Sequence, residues 1–180
     1  MFYQELKGPA LEAYRNMVSA LKAKALTELR IPEENIVIRD LRPEDYGSSS
    51  ADLYYDITAG ASWNTVISAE TVGDNRFIGI SGFFMGGTSA SSAGAVGPNV
   101  PITQVRITRK GSVARYWHVK PIGNWENKTG YADDPITADQ NTTITVETWD
   151  RLNTGSQSNW GFIGAVAEKK GVLVSPNGVW

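Results

Sequence analysis

Residues 142–149 read TTITVETW, and their alternation is unbroken: Ile144, Val146 and Thr148 face one way, Thr143, Thr145 and Glu147 the other. A period of two in β-branched residues is the pattern of a half-buried strand. Working outward, NIVIRDL (35–41), ADLYYDIT (51–58), WNTVISAETV (63–72), RFIGISGFF (76–84), ITQVRITR (102–109) and SVARYWHV (112–119) share this texture upstream, and FIGAVAEK (162–169) and GVLVS (171–175) share it downstream. Turn formers punctuate the series at Gly73-Asp74-Asn75, Lys110-Gly111 and Lys169-Lys170-Gly171. Eight or nine short strands over about 140 residues is the count of a sandwich or jelly roll. The fold expected is mainly β, a jelly-roll-like antiparallel β-sandwich.

The chain changes character near Pro43. Before it, Pro9 opens a segment rich in Ala, Leu, Glu and Lys that runs to about Arg30. Leu11, Tyr14, Val18, Leu21 and Ala25 recur at steps of three and four, Leu29 continues them, and Met17 and Leu26 widen the stripe. Ile31-Pro32 stops the helix, because a residue before proline avoids the α region. Residues 1–34 are therefore expected to form a helical arm and residues 35–180 the β-sandwich domain. The stripe can cover a face of that domain or pack on a neighbouring subunit. Membrane binding is not favoured, since the helix has no basic face.

Composition narrows the chemistry. The 180 residues suffice for one well-buried domain with an appendage, and the formal net charge of −2 argues against a general polyanion binder. With no cysteine, thiol nucleophiles, disulfides, thiolate zinc sites and iron–sulfur clusters are all ruled out. The first dozen residues carry charges and no uninterrupted apolar core, unlike a secretory signal, and no stretch is long and apolar enough to span a bilayer as a helix. MGGTSASSAGAVGPNVP (85–101) is rich in small residues that offer little burial, and a mobile surface loop is expected there.

No catalytic constellation emerges. His118 is the single histidine, and no G-x-S-x-G elbow accompanies it. The Gly-rich segment lacks the Lys-Ser/Thr ending of a P-loop. Glu126, Asp133, Asp134 and Asp139 fall in ENKTGYADDPITAD (126–139), read as loop-rich, where hard oxygen ligands suit calcium but the spacing is not that of an EF-hand. Turn formation is the simpler reading. Glu147 with one of these carboxylates would be the raw material of glycoside hydrolysis, if their separation allowed it. No enzyme activity and no cofactor are expected.

Six tryptophans invite a carbohydrate-binding reading, since indole faces stack on apolar sugar faces. Trp125 and Trp160 are the candidates, being read as residents of polar loops, whereas Trp63, Trp117 and Trp149 lie in strands, where core or intersubunit packing is expected. Arg106, Arg109, Lys110, Arg115, Lys120 and Lys128, interleaved with Tyr116, Trp117 and Trp125, have the composition of a single-strand nucleic-acid platform. Acidic residues follow directly, so a charged contact with another subunit through Arg109 and Arg115 is preferred to nucleic acid.

The strand series from NIVIRDL to GVLVS, with RFIGISGFF, ITQVRITR and FIGAVAEK, resembles virion structural proteins of the phage type, namely jelly-roll capsid and head-decoration (cement) proteins. The resemblance is one of architecture, covers most of the chain and includes no diagnostic motif. The appended helix departs from the simplest such sandwiches. It implies a non-enzymatic subunit, made in the host cytoplasm and located in the virion. Such a subunit assembles with itself into a closed oligomer, with a trimer favoured, and coats or clamps a shell built of a major capsid or other shell protein. The interface residues expected are Leu11, Tyr14, Val18, Leu21, Arg109 and Arg115. The alternative is a carbohydrate- or receptor-binding module.

Overall fold

A computed structural model describes residues 1–46, 55–58, 62–89, 102–150 and 157–172. The elements in order are β1 (Phe2–Tyr3), α1 (Gly8–Leu29), β2 (Ile36–Asp40), β3 (Tyr55–Thr58), β4 (Trp63–Thr71), β5 (Arg76–Ser89), β6 (Ile102–Arg109), β7 (Arg115–His118), β8 (Thr129–Ala138), β9 (Thr143–Asp150) and β10 (Gln157–Lys169). One sheet has the order β1-β8-β5-β10-β2, with β3 also on β10, and the other the order β4-β9-β6-β7. All pairings are antiparallel. The chain is a mainly β protein, a two-sheet β-sandwich with an N-terminal helix.

The pairings nest. β6 pairs with β7, β5 with β8, β4 with β9 and β2 with β10, as in one long hairpin whose successive rungs fall alternately in the two sheets. β5–β10 and β6–β9 pairings then join the rungs within each sheet.

The strands split by which faces they bury. In β9, Ile144, Val146 and Thr148 are buried and Thr145, Glu147 and Trp149 are not, as the alternation predicts. β5 and β10 are covered on both sides. Ile78, Ile80, Phe83, Trp160, Phe162 and Val166 face the core between the sheets. Phe77, Ala165 and Ala167 lie under α1 with Met17, Leu21 and Ala25. Burial on both faces is why RFIGISGFF and FIGAVAEK are continuous apolar runs without clean alternation. A bulge at Ser81 changes the phase, so that Phe83 rather than Phe84 enters the core: Gly82 is opposite Ile163 and Ile80 opposite Gly164. The Ser81 hydroxyl donates to the Ile163 carbonyl (3.1 Å). On the far side of this bulge an added Cβ at Gly164 would overlap the Gly79 carbonyl.

The helix lies within a residue of its expected span and ends in a left-handed Arg30 (φ 51°), whose N–H reaches the Leu26 carbonyl. Its buried line is Ala10, Met17, Leu21 and Ala25, with Leu11, Tyr14 and Val18 half-buried beside it. The stripe is turned toward Met17 because Gly79 leaves room there, the site of an added Cβ being 2.5 Å from Met17 Sδ. Leu21, Tyr14 and Val18 pack on the chain's own six-stranded sheet, so the helix covers its own domain. β1 adds a strand to that sheet, pairing Phe2 with Ala132 and Tyr3 with Tyr131. Residues 1–34 are thus built into the sandwich rather than held apart from it.

Three expectations change. Residues 129–138 of the supposed acidic loop form β8; Pro135 is tolerated there because it falls inside the register shift between Ile80 and Gly82, where the ladder is already interrupted. The supposed loop at 85–101 does not begin at Met85, which is buried within β5; residues 90–101 lie outside the described residues, as do 51–54 of ADLYYDIT and 173–175 of GVLVS. Trp160 is not a loop residue at all. It sits in β10, stacked on Phe83 with centroids 5.3 Å apart and edge-on to Phe162 at 5.2 Å.

One end of the sandwich is closed by charges. Asp45 and Glu168 are 5% and 2% exposed. Arg39 donates to both Asp45 oxygens at 2.5 and 2.7 Å and to both Glu168 oxygens at 2.8 and 3.1 Å, while Arg76 donates to Glu168 at 3.0 Å. The backbone N–H of Arg42 adds a bond to Asp45 (2.8 Å). Burial disfavours the Arg39 cation, yet its hydrogen bonds to Asp45 and Glu168 outweigh this and hold its pKa above the ordinary value. Two positive charges meet two negative ones, so within this cluster each buried charge is compensated.

Candidate functional site

The outward face of the four-stranded sheet carries a cluster that strand register assembles from all four strands. Trp63 of β4 is opposite Trp149 of β9, Gln104 of β6 is opposite both Trp149 and His118 of β7, and Arg106 is opposite both Glu147 and Tyr116. Cross-strand neighbours on one face interact directly. Trp63 meets Trp149 at 5.6 Å and Tyr116 at 5.9 Å between centroids, both edge to face. The Arg106 guanidinium lies 4.4 Å over the Trp63 ring and binds both oxygens of Glu147, Nε at 2.5 Å. Hydrogen bonding to Glu147, and secondarily to Tyr116, raises the Arg106 pKa. The result is a preorganised, charge-balanced, aromatic surface.

At the β7 edge this surface runs into a cleft of about 390 Å³. Tyr116 and His118 line it from β7, Trp125 from the end of the short 3₁₀ turn at Lys120–Asn124, and Phe2 from β1. Trp117 forms its floor, only 4% exposed, with Phe2 edge-on at 5.1 Å. The Trp117 indole N–H is buried without an acceptor among the described residues. Tyr116 is 51% exposed, and its ring offers a free contact surface at the junction of cleft and face.

The candidates from sequence separate on this map. Trp125 lies at the cleft, as a stacking residue must, but Trp160 is completely buried and has no face to offer a sugar. Of the strand tryptophans, Trp117 belongs to the core, whereas Trp63 and Trp149 stand on the outward sheet face. Arg109 donates to the Thr137 carbonyl (2.7 Å) and to Ser112 (3.1 Å), and Arg115 pairs with Asp134 (2.6 Å). Arg106, Arg109 and Arg115 of the basic stretch therefore find partners within the chain, Arg115 among the acidic residues that follow it. Leu21 is enclosed under the sheet, and Leu11, Tyr14 and Val18 flank it, at a distance from the aromatic face.

The acidic residues are dispersed. Asp133 accepts from the Met1 ammonium (2.8 Å), Asp134 holds Arg115 and Asp139 holds Lys24. Among the described residues no group of three His, Cys, Asp or Glu side chains is placed to hold a metal ion. Glu147 commits both oxygens to Arg106, which withdraws them from acid–base work. No described helix is long and apolar enough to cross a membrane.

Sequence reading missed the joint role of Trp63, Trp149, Arg106 and Tyr116. Their parity in each strand was legible, but the register that aligns them was not. No family model matches the chain, and no curated protein or solved structure is significantly similar to it.

Proposed function

We infer that this chain is a structural subunit of a virion of the phage type, a capsid or head-decoration (cement) protein that assembles into a closed oligomer, with a trimer favoured, and stabilises a shell of major capsid or other shell protein. It would be made in the host cytoplasm and act without catalysis or cofactor. One observation carries this reading. The rungs β2–β10, β4–β9, β5–β8 and β6–β7 alternate between the sheets, which supports a jelly-roll path, the double Greek key that viral shell domains share with lectin domains. β1 and β3 are additions to that eight-strand pattern. The helix covers one sheet from outside, which leaves the four-stranded face and the sheet edges to meet neighbours.

Native mass spectrometry with sedimentation velocity tests the reading. A closed oligomer at physiological salt is expected, and a strict monomer at every accessible concentration would refute it.

The Tyr116–Trp125 cleft favours a second reading, a glycan- or receptor-binding module on the same fold. A glycan array distinguishes the two. Specific binding abolished by Tyr116→Ala or Trp125→Ala would favour the module, and an array without hits rejects its glycan form.

A further inference from the structure

A β-sandwich that remains discrete must guard its sheet edges, since each presents unpaired backbone N–H and C=O groups. Among the described edge strands, β1, β7 and β4 are guarded. β1 is two residues long. β7 has four residues and carries the Arg115–Asp134 ion pair. β4 is broken by two register shifts and by Ala69 in a left-handed conformation (φ 53°), and its exposed end carries Glu70.

β2 is less guarded, its only exposed charge being Asp40 at its end. It pairs with β10 from Ile36↔Lys169 to Asp40↔Ala165 without a bulge. It contains no proline and no lysine, and its one arginine, Arg39, is bound into the buried charge network. Val37 and Ile38 are 36% and 38% exposed, two of the few large apolar side chains on the described surface.

The hydrogen-bond phase fixes which backbone groups point away from β10. Leu41 N–H donates to the Gly164 carbonyl and Lys170 N–H to the Asn35 carbonyl. Residues 35, 37, 39 and 41 therefore form the hydrogen-bonded pairs with β10, and Ile36, Ile38 and Asp40 direct their N–H and C=O outward. No described strand takes these groups, although the Asp40 carbonyl accepts from Arg39 Nη1 (3.0 Å) and would take the β2 bond as a second one.

We propose that β2 pairs antiparallel with β2 of a second copy of this chain about a twofold axis at Ile38, joining two six-stranded sheets edge to edge. This rests on the assembly reading above and adds to it a contact that a trimer's threefold axis does not contain: the β2 pair would join one trimer to another, or the subunits of an even-numbered oligomer. The register sets Ile38 opposite itself, Ile36 opposite the other copy's Asp40, and Val37 opposite the other copy's Arg39. Every outward N–H and C=O of residues 36, 38 and 40 then finds a partner. No like charges face each other, so the strand is complementary to its own reverse. A ladder this short buries less than the roughly 1,200 Å² of a stable pair. The contact is weak alone and gains strength where several such pairs join two closed oligomers about twofold axes.

The absence of cysteine makes a direct test available. In the full chain, Ile38→Cys supplies the single thiol, so an intermolecular disulfide can only join two equivalent positions. A directly opposed hydrogen-bonded pair has a Cα separation of about 5.5 Å, within disulfide range. Mild oxidation should convert Ile38→Cys to a covalent dimer about tenfold faster than Val113→Cys, a control at an exposed turn residue. Ile38→Pro removes an outward N–H and no internal one, so by circular dichroism it should fold, while sedimentation velocity shows self-association weakened by about tenfold or more. If both cysteine variants oxidise equally slowly and Ile38→Pro leaves a wild-type oligomer intact, the β2 contact is overturned and the assembly reading stands. A wild-type chain that is monomeric throughout overturns both.

Discussion

Removing the negative charge of Glu168 at nearly constant volume, as in Glu168→Gln, isolates what the charge cluster does for the fold. The carboxylate accepts from Arg39 twice and from Arg76 once and is 2% exposed, so the substitution leaves two guanidinium groups sharing Asp45. Breaking a buried ion pair from one side costs about 3–5 kcal/mol, because the remaining charge stays desolvated. The side chains of Arg39 and Arg76 keep 12% and 19% exposure, and water reaching them argues for the lower end, about 3 kcal/mol. For a chain of this size that is a fall in Tm of roughly 6–12 °C. Urea unfolding should show a lower midpoint at unchanged m, the mark of lost stability rather than a changed denatured state. The triple variant Arg39→Met, Arg76→Leu, Glu168→Leu would leave Asp45 alone, so full apolar replacement must include Asp45→Leu. That quadruple variant should recover much of the loss if charge desolvation is the cause. A Glu168→Gln loss under about 1 kcal/mol would refute the reasoning, since it would mean the cluster is effectively solvated.

Gly164→Ala should cost about 2 kcal/mol or more by chemical denaturation, because its Cβ meets the Gly79 backbone; Gly79→Ala should cost less, because it meets the movable ends of Met17 and Leu21. Trp160→Ala should destabilise by about 3–5 kcal/mol, and wild-type Trp160 should be shielded from acrylamide, a result that Trp160→Phe difference quenching checks. Burial, and then Asp40, raise the Tyr14 pKa above its ordinary value of 10.0. A group whose folded pKa is raised contributes stability below its unfolded pKa and loses it as pH rises through the folded value, so stability should fall above pH 10 and fall less in Tyr14→Phe. Equal alkaline midpoints for the two proteins would count against that assignment.

The sequence by itself determined the classes of element and most of their places. TTITVETW announced its buried and open faces because a strand covered on one side must alternate, and the helix announced its ends through Pro9 and Ile31-Pro32. The cysteine-free composition closed off whole classes of chemistry. Other features were set only by tertiary structure, because they depend on register and on what lies across an interface. Trp160 is apolar core and not a sugar platform, since a tryptophan flanked by Ser158, Asn159 and Gly161 has the same local sequence in either setting. ENKTGYADDPITAD read as loop because Pro135 and its acids are turn formers, yet they sit in a strand where its ladder with β5 is interrupted, residues 132–135 facing Ser81 alone. The stripe of α1 gave its width but not its centre, which a missing side chain at Gly79, dozens of residues away, moved to Met17. The outward cluster of Trp63, Arg106, Tyr116 and Trp149 depended on four strands aligning, and no local pattern encodes pairing between strands so distant in the chain.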